Sequence, residues 1–544
     1  MPQPLGYLSL VLHAHLPFVR HPEYDEFLEE DWLYEAITET YLPLIMMMET
    51  LEQDGCDFRL TMSLTPTLIS MLQDELLQTR YVRHLERLME LADREEQRTR
   101  LQDDFHPLAQ MYQEHFAACH EVYENHLHRD VVGAFAKFQK KGNLEIITCG
   151  ATHGFLPLMQ NQPEAVNAQV AVAVDHYTKT FGQAPRGIWN GECGFFPGLD
   201  KILAKHGLKY FFVDTHGVLF ANKRPKRGVF APLQTPGGPY AFGRDMESSK
   251  SVWSAEVGYP GDFRYREFYR DIGYDLDGEY LRPFLGELGL RKALGIKYHR
   301  ITGKGNLREK EPYVPEDATE AAASHAGHFL FCRQQQVLHL QGLLDRPPLI
   351  TSPYDAELFG HWWFEGPQFL DFLLRKIHYD QTDVALITPS EYLERYPDAQ
   401  EAMPSLSSWG SGGYNMVWLE GSNDWIYRHL TSCGARMIDL VNKTAEAGEP
   451  DALTERTLNQ AARELLLAQS SDWAFIMKTG TTVRYAVKRT KEHLNYFIAL
   501  VEMVERGDIV ESTLADLEHR DNIFPEVSWR VYMTEALGGV TTKV

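Results

Sequence analysis

The strongest constraint on this chain is a pattern that recurs through its N-terminal part. A short, nearly continuous apolar run ends in a polar motif, and a helical stretch follows. The first run, Tyr7-Leu8-Ser9-Leu10-Val11-Leu12, gives way to His13-Ala14-His15-Leu16-Pro17. The pattern returns at 58–64, at 144–148 before Cys149-Gly150-Ala151-Thr152-His153-Gly154, and at Gly187-Ile188-Trp189 before Asn190-Gly191-Glu192. It returns again at 210–213 before Asp214-Thr215-His216-Gly217, and at 348–351 before Tyr354-Asp355-Ala356-Glu357. Continuous apolar runs suit strands buried on both faces, and parallel strands need crossovers that are usually helical. Polar motifs at successive strand ends predict an α/β barrel with its chemistry on the C-terminal rim.

A chain of 544 residues exceeds what one compact core organises. From about 76 to 142 the sequence is charged and periodic, with few Gly and a single Pro, Pro107, which predicts a helical insertion. Residues 218–320 are rich in Gly, Pro, Tyr and Arg and are too long for an ordinary connection, so they are expected to form loops over the site. The barrel is expected to occupy 1–404. Helical patterns at 423–446, 451–471, 479–506 and 511–518 predict an all-helical C-terminal domain over 405–544.

The net charge, 53 basic against 76 acidic residues, is −23. That balance disfavours nucleic-acid backbones and anionic membranes, and favours a neutral or cationic ligand. Aromatic residues make up 12%, which suits stacking on sugars. The six cysteines include no Cys-x-x-Cys pair, a reduced, cytosolic pattern. No basic leader or apolar run of membrane-spanning length is visible, so a cytoplasmic, soluble protein is expected, with a monomer favoured.

Two acidic motifs carry the chemistry. Glu192 and Asp355 each follow an apolar run and sit among aromatics: Trp189, Phe195 and Phe196 for the first, Phe359, Trp362 and Trp363 for the second. Two aromatic-lined carboxyl groups from separate strands match an acid and a nucleophile acting on a sugar. His13 and His15 at a strand end admit three readings: hydrogen bonding in a sugar site, zinc ligation completed by His153 and Asp214, or a structural pair. The Gly-rich loop from Ser407 to Trp418 lacks the lysine of a phosphate-binding loop. Its Trp409, Tyr414 and Trp418 read as sugar platforms or as domain-interface core. In Ser470-Ser471-Asp472-Trp473, Ser and Asp suit a helix cap, and Trp473 suits packing.

Together, the His13–His15 motif, the 150–154 motif, Trp189–Cys193, Tyr354–Glu357 and the Trp409–Trp418 loop resemble the five ordered motifs of glycoside hydrolase family fifty-seven. The resemblance runs from residue 7 to at least residue 500. It is closest to the 1,4-α-glucan branching enzymes of that family, through 354–367, 242–249 and 470–475. It implies an incomplete (β/α)7 barrel with a helical insertion and a C-terminal all-helical domain, acting on α-glucan without a cofactor. Glu192 is then the nucleophile and Asp355 the general acid/base of a retaining double displacement. His13, His15 and His153 bind the glucosyl unit, Trp409 and Trp418 line the cleft, and Asp214, Arg244, Trp362 and Asp472 join the substrate-binding set. In branching enzymes a loop Tyr helps exclude water, and within 233–243 the candidate is Tyr240.

The sequence departs from the family at Gly191, where a larger residue or Pro is usual, and at Ser411, where many branching enzymes carry Glu. A retaining mechanism requires the two carboxyl groups about 5–5.5 Å apart. The histidines are expected to keep Glu192 ionised, and the rings beside Asp355 to raise its pKa by desolvation. Three readings stay open: a branching transferase, an α-amylase or 4-α-glucanotransferase on the same carboxylates, and a metal-dependent polysaccharide deacetylase using His13, His15 and Asp214.

Overall fold

A computed structural model describes residues 3–254, 257–286 and 289–538. Ten strands run in chain order: β1 (Gly6–Ala14), β2 (Leu60–Leu64), β3 (Leu144–Cys149), β4 (Gly187–Trp189), β5 (Tyr210–Val213), β6 (Leu233–Gln234), β7 (Tyr240–Gly243), β8 (Leu349–Asp355), β9 (Val384–Leu386) and β10 (Gln400–Glu401). The continuous order is β10-β6-β7-β5-β4-β3-β2-β1-β8, with β9 paired to the start of β1. From β7 to β8 every pairing is parallel, so seven strands form a curled α/β sheet consistent with an incomplete (β/α)7 barrel. All nine residues of β1 are buried, as its position between β2, β8 and β9 requires.

No eighth strand bridges β7 and β8 among the described residues. Helix Met246–Trp253 seals that seam instead. The Asp245 N–H donates to the Thr351 carbonyl at 2.9 Å, Ser352 Oγ–H donates to Ser248 Oγ at 2.6 Å, and Tyr354 O–H donates to the Ser248 carbonyl at 3.0 Å.

Between β2 and β3 lie helices Glu75–Thr99, His106–His120 and Val131–Lys141. The first two form an antiparallel pair, whereas the third packs back on the sheet as the crossover into β3. The stretch 218–320 is more ordered than a set of loops. It contains β6, β7 and the sealing helix, and its later part packs on the helical pair through Tyr298 O–H to Glu95 (3.0 Å) and Tyr112 O–H to the Lys297 carbonyl (3.0 Å). The four residues of β7 are too few for periodicity to reveal.

Helices Trp425–Ala447, Ala452–Ala468, Ser471–Thr479, Val483–Arg506 and Glu511–Arg520 form the C-terminal region. They dock on the rim of the sheet through Gln169 Nε2–H to Gln469 Oε1 (3.0 Å), Asn167 to the Val531 carbonyl (2.9 Å) and the stack of Phe155 on Trp418. The helix Ser471–Thr479 begins within the stretch 470–475 and lies against the barrel rim. No helix among the described residues is long and apolar enough to cross a membrane.

Candidate active site

Parallel register brings the motifs to one rim. His13 pairs with Asp355 across β1 and β8 and with Ser63 across β1 and β2, while Cys149 pairs with Trp189 across β3 and β4. The chain after each strand turns sharply. His153 (φ 56°), Glu192 (φ 61°) and Cys193 (φ 50°) all adopt the left-handed region, a conformation that costs of order 1–3 kcal/mol and clusters at functional sites. The two turns touch. A Cβ on Gly191 would lie 3.0 Å from the Gly154 carbonyl oxygen and 3.2 Å from that of His153. Gly191 therefore lets the Glu192 turn press against the His153 turn, where a larger residue crowds it.

Glu192 is buried and held by donors from distant parts of the chain. Trp409 Nε1–H donates to Oε2 at 2.7 Å, and Ser471 Oγ–H donates to Oε1 at 3.0 Å. His153 Nδ1 lies 3.8 Å from Oε1 and 2.7 Å from Ser471 Oγ, and its Nε2 lies 2.9 Å from His13 Nε2. The His13 ring stacks on Trp189 at 4.7 Å. His15 stacks on His153 at 3.9 Å, meets both oxygens of Asp472 at 3.0 Å, and faces Thr65 Oγ1 at 3.1 Å. Thr65 in turn caps helix Pro66–Leu72.

Burial dominates the electrostatics. It raises Glu192 to about 7, with Asp472 and Asp355 adding to the rise and the bonds from Trp409 and Ser471 opposing it. It raises Asp355 to about 8, with Glu357 reinforcing and His15 and Arg244 opposing. Burial also drives His13 and His153 well below the usual imidazole range, helped by His153 and His15 for the first and by His15, against Asp472, for the second. His153 therefore supports Glu192 through Ser471 as a neutral ring with His13 behind it, not as the positive charge expected from the sequence. Burial would raise Asp472 too, but His15 holds it down to about 2. A third carboxyl group, Glu357, is pushed up to about 7 by burial although it accepts from Tyr41 O–H (2.5 Å) and the His15 N–H (3.1 Å).

Two buried carboxyl groups, both raised toward neutral pH, suit one proton donor beside one ionised carboxylate. Residues 9–404 match the model of glycosyl hydrolase family 57, and residues 429–532 match that of the 1,4-alpha-glucan branching enzyme C-terminal domain.

The chain belongs to family 57.

It is accordingly a glycoside hydrolase-type enzyme. A 1,4-alpha-glucan branching enzyme of Thermococcus kodakarensis is 33% identical over 97% of this chain and 79% of its own. The crystal structure of the alpha-amylase AmyC from Thermotoga maritima is 49% identical, with a TM-score of 0.91 over 97% of this chain and 99% of that one. The GH57-type branching enzyme of Pyrococcus horikoshii is 32% identical, with a TM-score of 0.87 over 98% and 97%.

Not every expected residue reaches the family 57 rim. Tyr240 opens β7, opposite Tyr210 at the start of β5, so it lies at the other end of the strands from Asp355, its O–H donating to the Pro397 carbonyl. It is not placed to gate water. Trp418 is only 1% exposed and stacks on Phe155 at 4.6 Å, so it is interface core and not a platform. Trp362 is 53% exposed and stacks on Phe268 at 4.4 Å, and Tyr414 is 49% exposed. Ser411 is exposed in the loop between Gly410 and Gly412.

Asp214 lies apart from the histidines' ligand-type cluster. It caps the following turn and meets Arg244 Nη1 at 3.4 Å, and Arg244 lies 5.6 Å over the Trp409 ring. The ligand-type atoms that converge here, among the described residues, belong to His15, His153 and Asp472, within 4.8 Å of one another. This differs from the His13–His15–Asp214 set of the deacetylase reading, because Arg244 already supplies Asp214 with a cation. Sequence reasoning missed Ser471, Thr65 and Glu357. Ser471 was visible as a capping-type residue in the 470–473 motif, but only the fold brings it to Glu192.

Proposed function

We propose that this chain is a 1,4-α-glucan branching enzyme. It cleaves an α-1,4 linkage by retaining double displacement and transfers the chain to a 6-hydroxyl group. Glu192 attacks the anomeric carbon, Asp355 protonates the leaving oxygen, and Asp355 then deprotonates the acceptor hydroxyl. The observation that carries this reading is the C-terminal region. It matches the branching-enzyme C-terminal model, and it supplies Ser471 to Glu192 and Asp472 to His15. The α-glucan substrate is inferred from the relatives, among them a 1,4-alpha-glucan branching enzyme.

A second reading, an α-amylase on the same carboxylates, is favoured by the 49% identity to AmyC and by the position of Tyr240 away from the rim. Water then intercepts the glycosyl-enzyme. Incubation with amylose separates the two. A branching enzyme creates new α-1,6 linkages in excess of new reducing ends, and a hydrolase creates reducing ends without branch points. Reducing ends alone would overturn the branching reading.

A further inference from the structure

Besides the Trp409 bond, one line of hydrogen bonds reaches Glu192, and while Glu192 is ionised it has only one consistent direction. Its members are His13, His153, Ser471 and Glu192, with contacts of 2.9, 2.7 and 3.0 Å. Each imidazole is buried, and His13 Nδ1 has no partner among the described residues. Two neutral imidazoles joined through Nε2 must divide the roles, one donating and one accepting. When Glu192 is ionised it only accepts, so Ser471 gives it its hydroxyl proton. Ser471 Oγ then accepts from His153 Nδ1–H, which leaves His153 Nε2 to accept from His13 Nε2–H. The opposite order would aim an oxygen lone pair of Ser471 at a carboxylate oxygen 3.0 Å away.

We propose that Ser471, His153 and His13 form a reversible donor chain whose direction is set by the charge on Glu192, so that the His13 tautomer reports the state of the nucleophile. When Glu192 is neutralised, the protons shift along the line. One taken up from solvent ends on His13 Nδ1, the His13 Nε2 proton passes to His153 Nε2, the His153 Nδ1 proton passes to Ser471 Oγ, and the Ser471 proton passes to Glu192 Oε1. The net change is one proton gained, and neither imidazole becomes a cation. The groups facing this line are Asp355, Asp472 and Trp409 beside Glu192, Tyr427 and Cys149 farther around it, and His15 beside both imidazoles. Ser471 is thus a positioning residue that keeps Glu192 supplied with a donor without adding charge to the sugar-facing side.

The inference rests on Glu192 being the reacting carboxylate, but its first test reads nuclei and not products, so it fails separately from the branching assay. Neutron diffraction from deuterium-exchanged crystals of the full-length wild-type protein at pH 9 should place deuterium on His13 Nε2 and His153 Nδ1. At pH 5 it should place deuterium on His13 Nδ1, His153 Nε2 and Glu192 Oε1. Any other arrangement overturns the proposal, including unchanged imidazoles or a doubly deuterated ring. In solution, Ser471→Ala should move the acidic limb of kcat/KM up by about one pH unit, a loss of about tenfold on that limb, and Ser471→Thr should restore it. A loss by Ser471→Ala that is equal at every pH would mean that Ser471 is merely structural and would also overturn it.

Discussion

At the scale of single residues, the two carboxyl groups set the working pH. In the proposed mechanism the active form has Glu192 ionised and Asp355 protonated. With Glu192 near 7 and Asp355 near 8, kcat/KM should follow a narrow bell that falls on the acid side as Glu192 gains a proton and on the alkaline side as Asp355 loses one. A profile flat from pH 5 to 9 would defeat this assignment. Trp409→Phe removes the 2.7 Å donor to Glu192 while keeping a ring in place, and should shift the acidic limb upward by about one unit. The same burial makes Glu192 costly to the fold. Its folded pKa lies above the ordinary value, so the native state loses stability as pH rises from about 4.5 through 7. Glu192→Gln should therefore raise the melting temperature at pH 9, against an upper limit of about 3 kcal/mol, with the gain vanishing near pH 4. Denaturation at both pH values checks the sign. The roles separate chemically: Glu192→Ala with azide should yield a glycosyl azide of inverted configuration, and Asp355→Ala with an activated donor should yield the retained one. Outcomes the other way round would swap the assignments.

At the scale of elements, the paired turns at 152–154 and 190–193 set how Glu192 is aimed. Gly191→Ala places a methyl group 3.0 Å from the Gly154 carbonyl oxygen, so it should lower kcat by about tenfold or more while moving the melting temperature little. Equal loss of both would show that the contact serves the fold alone. The strand ends were readable in the sequence because each apolar run stopped abruptly at a polar motif. This held for the runs ending at His13, Cys149, Glu192, Asp214 and Asp355. β7 was not readable, since four residues carry no period, and missing it left Tyr240 assigned to a loop when it belongs to the base of a strand. Trp418 was misread for a different physical reason. A tryptophan in a Gly-rich loop looks the same in sequence whether its ring faces a cleft or another ring, and only the position of Phe155 decides.

At the scale of the whole molecule, the barrel alone does not hold a complete site. Trp409, Ser471 and Asp472 all lie beyond residue 404, yet they meet Glu192 and His15. A fragment ending at 404 should show no turnover on amylose even where circular dichroism reports folded barrel, and activity in such a fragment would argue that these contacts are dispensable. Legibility follows the same division. The barrel's own residues could be assigned from strand-end motifs, because sheet register carries them to one rim. From beyond residue 404, Trp409 and Asp472 were assigned to the site only through the family resemblance and Ser471 not at all, because nothing in a local pattern encodes a contact made across several hundred residues.

That separation along the chain also has a meaning in time. The partners of Glu192 lie 217 and 279 residues downstream of it. At a synthesis rate of about 5–20 residues per second, the carboxylate leaves the ribosome tens of seconds before Ser471 exists. For most of that interval Glu192 lacks both donors, and even after Trp409 is made it still waits for Ser471. By order of manufacture, a nascent chain should therefore stay catalytically mute until the helix that carries Ser471 and Asp472 has emerged.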